Sequence, residues 1–186
     1  EVTLGQKFIV GDIITAIGSD TTRYKVSAIT FDSGATGAAT VTLAQEDDST
    51  QKLAVAVSNN SNISREWEFA NLFNKAPGTS TYASTRASVG VTDEMHIIVL
   101  DEDGLVSGTP GTVLEKFEAV SKASDAKDEF GSTNYYVSIL ENKSEWMYWL
   151  DHSSTMGSAG SAAAGVTFGT GTLPDSLSFT NGADGR

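Results

Sequence analysis

Met95-His96-Ile97-Ile98-Val99-Leu100, followed by Asp101-Glu102-Asp103-Gly104, is the stretch from which the rest of the chain is read. An apolar run broken only by His96 has the pattern of a strand covered on both faces, and the acidic turn with its glycine ends it. Downstream, Thr112-Val113-Leu114-Glu115 has the form of a helix capping box. There a threonine hydroxyl accepts the backbone N–H three residues on, and the glutamate reaches back. Val113, Phe117 and Val120 recur at helical spacing and Leu114 widens the stripe. The pattern predicts a helix from about Thr112 into Ser124-Asp125-Ala126-Lys127. Farther on, Glu145 to Leu150 gathers Trp146, Met147, Tyr148 and Trp149 and reads as a second buried strand. Strand, helix, strand in that order predicts a parallel pair with a right-handed crossover.

Between these elements, Tyr135, Tyr136, Ile139 and Leu140 fit a short helix, while Tyr136, Val137 and Ile139 suit a strand equally well; the reading leans to helix. Upstream, Phe69, Leu72 and Phe73 fit one face of a helical turn that Pro77-Gly78 ends. Residues 1–66 read as β structure. Phe8-Ile9-Val10 and Ile13-Ile14 flank a Gly11-Asp12 turn or bulge, Tyr24 to Thr30 alternate weakly, and Thr40-Val41-Thr42-Leu43 returns after Asp32-Ser33-Gly34. Leu53 to Val57 is a further strand, closed by the polar cluster Ser58 to Asn62. Short strands at this spacing suggest a small antiparallel barrel or sandwich. Ser153 to Gly171 is rich in Gly, Ser and Ala and is expected to be a mobile surface loop. Leu177-Ser178-Phe179 is expected to return to the sheet. The fold class expected is thus α+β or α/β: a β lobe over 1–66, then a core with a strand-helix-strand unit over 67–186, each read as incomplete. The absence of an initiating Met fits a piece of a longer protein.

Twelve basic against twenty-four acidic residues give a net charge of −12, which repels DNA and anionic membranes and argues against direct nucleic-acid binding. With no cysteine, disulfides and thiolate metal sites are excluded. No apolar run approaches the length of a membrane span, and no signal peptide is visible at the start.

The chemistry on offer is thin. Placing Gly104 at the sixth position of an EF-hand puts Val99 first and Pro110 last, and neither supplies a carboxylate; Asp101 to Gly104 reads better as a solvated turn. Gly78-Thr79-Ser80-Thr81-Tyr82-Ala83 superficially resembles the serine motif of subtilisin proteases, and Ile97 to Asp101 their aspartate strand. In those enzymes the order is Asp, His, Ser, whereas here Ser80 precedes Asp101 and His152 lacks glycine-rich surroundings, so Ser80 reads as a turn residue. His96 and His152 are too few for a structural zinc site and read as structural. The glycines from Gly104 to Gly111 match neither phosphate-loop nor dinucleotide patterns. Strand alternation splits Trp146 and Tyr148 from Met147 and Trp149, which favours core packing over a ligand platform. No catalytic, cofactor-binding or metal residue is assigned, and no enzyme is expected.

Residues 71–152 resemble the tail sheath proteins of T-even-like myoviruses. The segments carrying the resemblance are Asn71 to Ser80, Asp93 to Gly104, Gly108 to Glu115, Ala123 to Lys127, Asn134 to Tyr136 and Tyr148 to His152, in the family's order. Residues 1–66 are similar, less specifically, to the later part of the family's protruding β-barrel domain, and Asn181 to Gly185 to a family glycine turn. The resemblance implies an α/β core of subtilisin-like topology without protease activity. It implies subunits stacked in rings of six around a tail tube, which contract on baseplate triggering and drive the tube through the host envelope. The implied partners are other sheath subunits, the tail tube protein, and baseplate and tail terminator proteins; the implied location is the virion tail, assembled in the host cytoplasm. Family members exchange terminal arms as added strands, and both arms look missing from this chain. The alternative reading is a virion surface module whose β lobe recognises a host glycan or protein.

Overall fold

The computed structural model describes residues 8–15, 22–31, 39–46, 64–86, 91–153 and 156–169. It is mixed α+β, with mostly antiparallel sheets and few helices. Two compact units divide the chain, Glu1–Asn74 and Lys75–Arg186.

The first unit is a four-stranded antiparallel sheet of β1 (Ile13–Thr15), β2 (Tyr24–Phe31), β3 (Ala39–Gln45) and β4 (Ser64–Glu66), in the order β3-β2-β1-β4. The weak alternation of the sequence has a cause. Tyr24 and Val26 are buried and Lys25 exposed, but a bulge after Val26 shifts the phase, so Ala28 faces out and Ile29 joins Ile14, Val41 and Leu43 in the apolar cluster. The Gly11-Asp12 turn is present, and Gly11 at φ 104° holds a backbone conformation that favours glycine. The buried Asp12 carboxylate accepts from Arg65 Nε at 2.5 Å and from the Ile9 N–H at 2.7 Å. A 3-10 turn over Ala70–Leu72 follows, near the expected helical turn, with Trp67 and Phe73 stacked at 5.8 Å. The strand expected over Leu53 to Val57 lies outside the described residues.

The second unit opens with the short helix α1 (Thr81–Ser84) and the hairpin of β5 (Glu94–Asp101) and β6 (Thr112–Ser121), and continues with helix α2 (Tyr136–Lys143). The Met95 strand is as expected, although its residues are half-buried rather than covered on both faces. The helix expected from Thr112 does not form: Thr112 to Ser121 pairs antiparallel with β5. The Thr112 hydroxyl donates to the Thr109 carbonyl at 2.7 Å, and the Glu115 carboxylate accepts from the Ser144 hydroxyl at 2.5 Å and the Glu145 N–H at 2.6 Å. The helical spacing was an effect of bulges. Met95 pairs with Val120 but Ile97 with Phe117, so the extra residue between them puts Phe117 and Val120, three apart, in one cluster. A second irregularity between Val99 and Leu100 sets Glu115 and Val113 opposite them.

The helix leaned to at Asn134–Leu140 is present as α2, burying Tyr136, Val137, Ile139 and Leu140 against Met95, Ile97, Phe117 and Val120. Glu145 to Leu150 is not a strand, so no parallel crossover forms among the described residues. The segment bends at Glu145-Trp146 and is otherwise irregular: Met147 and Trp149 pack into the α2 cluster, while Trp146, Tyr148 and Leu150 are 46, 86 and 89% exposed. Its aromatic density marked burial of one side only. The Gly/Ser/Ala segment is also more fixed than expected. Ala162 and Phe168 are buried with Ala83, Val91, Ala123 and Ala126 in a separate apolar cluster, and Val166 packs on it. The return expected at Leu177 to Phe179 lies outside the described residues.

Candidate functional site

The strongest concentration of buried polar groups lies where the loop before α1 meets the start of β5 and the end of β6. Ser80, Asp93, Ser121 and Lys122 are all buried there. Ser80 sits before α1 because its oxygen caps the helix, accepting the Ala83 N–H at 3.1 Å. Its hydroxyl donates to Asp93 Oδ2 at 2.7 Å and its N–H to Asp93 Oδ1 at 2.8 Å. The Ser121 hydroxyl also donates to Asp93 Oδ2, while accepting the Ala123 N–H at 3.0 Å. Asp93 is fully buried, and the three donors offset the cost of taking its charge out of water. Ser80 thus presents its proton to a carboxylate rather than to an imidazole. The pairing is with Asp93, not with the Asp101 that the subtilisin likeness singled out.

Lys122 lies beside this network. Its N–H donates to the Asp93 carbonyl at 2.8 Å, and its ammonium to the carbonyls of Gly169 at 2.6 Å and Met156 at 3.1 Å. Burial pushes the ammonium's pKa below its ordinary value, and the charge of Asp93 opposes that shift. Asp125 fastens the same returning segment, accepting from the Ala162 and Ala163 N–H groups at 2.8 and 2.9 Å and the Ser161 hydroxyl at 2.9 Å. Burial pushes the Asp125 carboxyl up, but the hydrogen bonds from Ala163, Ala162 and Ser161 outweigh it and leave the carboxyl below its usual range.

Asp101 is committed to its own turn. Its Oδ2 accepts the Ser107 hydroxyl at 2.7 Å and the N–H groups of Ser107 at 2.6 Å and Val106 at 3.1 Å. The Ser107 hydroxyl, then the Ser107 and Val106 N–H groups, hold the carboxyl below the ordinary range. Among the described residues no group of His, Asp and Glu side chains is arranged to hold a metal ion. Likewise no described helix is long and apolar enough to cross a membrane.

The two histidines sit apart from Ser80. His152 Nδ1 is 2.5 Å from the Tyr136 hydroxyl, which accepts from Trp149 Nε1 at 3.1 Å. Burial raises the Tyr136 phenol's pKa above its ordinary value, so the phenol keeps its proton. His96 bridges the Lys75 carbonyl and the Ala119 N–H. Sequence reading missed Asp93, Ser121, Lys122 and Asp125. The one local signal is the Ser80-to-Ala83 cap spacing; nothing in Val120-Ser121-Lys122-Ala123 announces that its polar pair is buried.

The arrangement is a set of carboxylates neutralised by hydroxyl and amide donors, a pattern that fixes loops. Large apolar side chains of the same unit, Leu105, Val106, Phe130, Trp146, Tyr148 and Leu150, remain at the surface. No family model, curated protein or solved structure matches the chain.

Proposed function

We propose that the chain is part of a contractile bacteriophage tail sheath subunit, which stacks in rings of six around the tail tube and contracts to drive it through the host envelope. The barrel form of the β lobe, the subtilisin-like topology of the core, the absence of catalysis and the location in the virion tail belong to this same proposal. So do the partners: neighbouring sheath subunits, tube, baseplate and terminator proteins.

The observation that carries the reading is the division of labour in the second unit. The segments resembling sheath proteins include Ser80, Asp93, Asp101, Asp125, Tyr136 and His152, whose polar groups are engaged in holding loops. Large apolar side chains stand at the surface beside charged ones, with Phe130 at 84%, Leu105 at 87% and Leu150 at 89% exposure. Exposed apolar groups in this number suit a protein whose work is contact with copies of itself. Among the described side chains the exposed aromatics lie in this unit, and the large apolar side chain left exposed in the first unit is Val10.

Negative-stain electron microscopy of the complete protein tests the reading. Ring-stacked tubes are expected, and a Trp146→Ser/Tyr148→Ser/Leu150→Ser variant is expected to shorten or abolish them. Complete protein that stays monomeric at high concentration, with and without tail tube, would refute it.

A further inference from the structure

We propose that His96 is a proton-sensitive latch, whose second ring proton releases the Ala119 amide and loosens the bulge joining β6 to the lead-in of α2. The inference rests on geometry inside the second unit and is independent of the sheath reading.

The two contacts of the ring fix its chemical form. Nε2 lies 2.8 Å from the Lys75 carbonyl, which only accepts, so Nε2 carries the proton. Nδ1 accepts the Ala119 N–H at 3.0 Å, so it is a bare lone pair. The imidazole is therefore neutral in this arrangement. A proton added at Nδ1 would point at another N–H, and the contact has no alternative polarity, because a backbone amide cannot accept.

Ala119 is where that loss matters. It is the one described non-glycine residue at positive φ, 50°, at the inserted position between the Met95–Val120 and Ile97–Phe117 pairs. A left-handed alanine persists when its surroundings over-determine it. The His96 ring supplies one restraint, and the Asn134 side-chain amide, donating to the Ala119 carbonyl at 3.0 Å, supplies another. Asn134 in turn accepts the Ser121 N–H at 2.8 Å just ahead of α2. A continuous chain of contacts thus runs from Lys75 through His96 and Ala119 to the start of α2.

The charged residues beside His96 in the hairpin register are Glu94 on its own strand, paired with Lys75 at 3.1 Å, Lys116 opposite Ile98, and Glu118 within the bulge.

Nuclear magnetic resonance of the isotope-labelled chain decides the matter. The ring nitrogens of His96 should report the neutral Nε2–H form at pH 8. The hydrogen-exchange protection factor of Ala119 should fall roughly five- to tenfold as the ring titrates, the expected loss of one backbone hydrogen bond. His96→Asn places a neutral amide oxygen near Nδ1 and should hold the protection constant from pH 8 to 5. His152→Gln should leave the transition in place. A protonated Nδ1 at pH 8, constant Ala119 protection through the His96 titration, an equal fall in His96→Asn, or its disappearance in His152→Gln would each overturn the latch.

Discussion

The two units fasten themselves with different chemistry. In the first, charges meet charges across the sheet: Arg23 contacts Glu46 at 2.5 Å and Glu66 at 3.1 Å, Lys25 contacts Glu68 at 2.7 Å, and Arg65 contacts Asp12 at 2.5 Å. In the second, apart from the Lys75–Glu94 pair at 3.1 Å, carboxylates meet neutral donors. Asp93, Asp101, Asp125 and Glu115 each draw together hydroxyl and amide groups of a turn or loop. The exposed pairs of Arg23 and Lys25 are weak and screened by salt, whereas buried carboxylates, Asp12 of the first unit among them, are screened much less. The lesson is that a chain with a net charge of −12 has more carboxylates than cations to pair them, and the second unit neutralises its surplus with backbone and hydroxyl donors.

The contrast is sharpest at Asp93. Asp93→Ala leaves two buried serines and one buried N–H without their acceptor, and should cost about 3–5 kcal/mol in urea unfolding. Asp125→Asn should cost about 2 kcal/mol and expose the 156–169 segment to limited proteolysis, because the amide replaces an ionic acceptor of three donors. Acid acts on two carboxyls of this unit. The carboxyls of Asp101 and Asp125 sit below their ordinary range, so each adds stability above about pH 4 and loses it as the pH falls through the lowered value. Thermal melts from pH 6 to 2 should show the second unit failing first, and equal sensitivity of the two units would blunt the comparison.

Smaller effects probe its edges. Ala119→Gly relieves the left-handed backbone at φ 50° and should stabilise the hairpin by about 0.5–1 kcal/mol by urea unfolding; a loss would show that the methyl group matters more than the strain. Arg23→Ala should change stability by less than about 0.5 kcal/mol, and less still in 1 M salt, because both of its pairs are solvent-exposed. A larger cost would move the first unit toward the second in character.

Much of the fold was legible where side-chain pattern and backbone agreed. Met95 to Leu100, Tyr24 to Thr30 and Thr40 to Leu43 carry their structure in their own residues, whereas the α2 segment suited helix and strand equally and only tertiary packing decides it. The failure at Thr112 to Ser121 has a specific origin. A bulge at Ala119 turns the two-residue period of a strand into a three-residue spacing from Phe117 to Val120, which is also the signature of a helix. The similar bulge in β2 did less harm, because β-branched and aromatic residues around it already indicated a strand. At Glu145 to Leu150 the composition announced burial but not the absence of a neighbouring strand, which is a property of the whole fold. The polar centre was the least legible part. Asp93, Ser121 and Lys122 look like surface residues in sequence, and only long-range pairing of β5 with β6 buries them.

The proposed function requires that Ser80 and Asp93 serve to hold their loop together. A double-mutant cycle of Ser80→Ala and Asp93→Asn, followed by urea unfolding, tests it most directly. The account predicts that each variant is less stable than the parent and that the two couple by about 1–3 kcal/mol. Variants as stable as the parent or more so, the usual sign of residues held in place for activity, would contradict it.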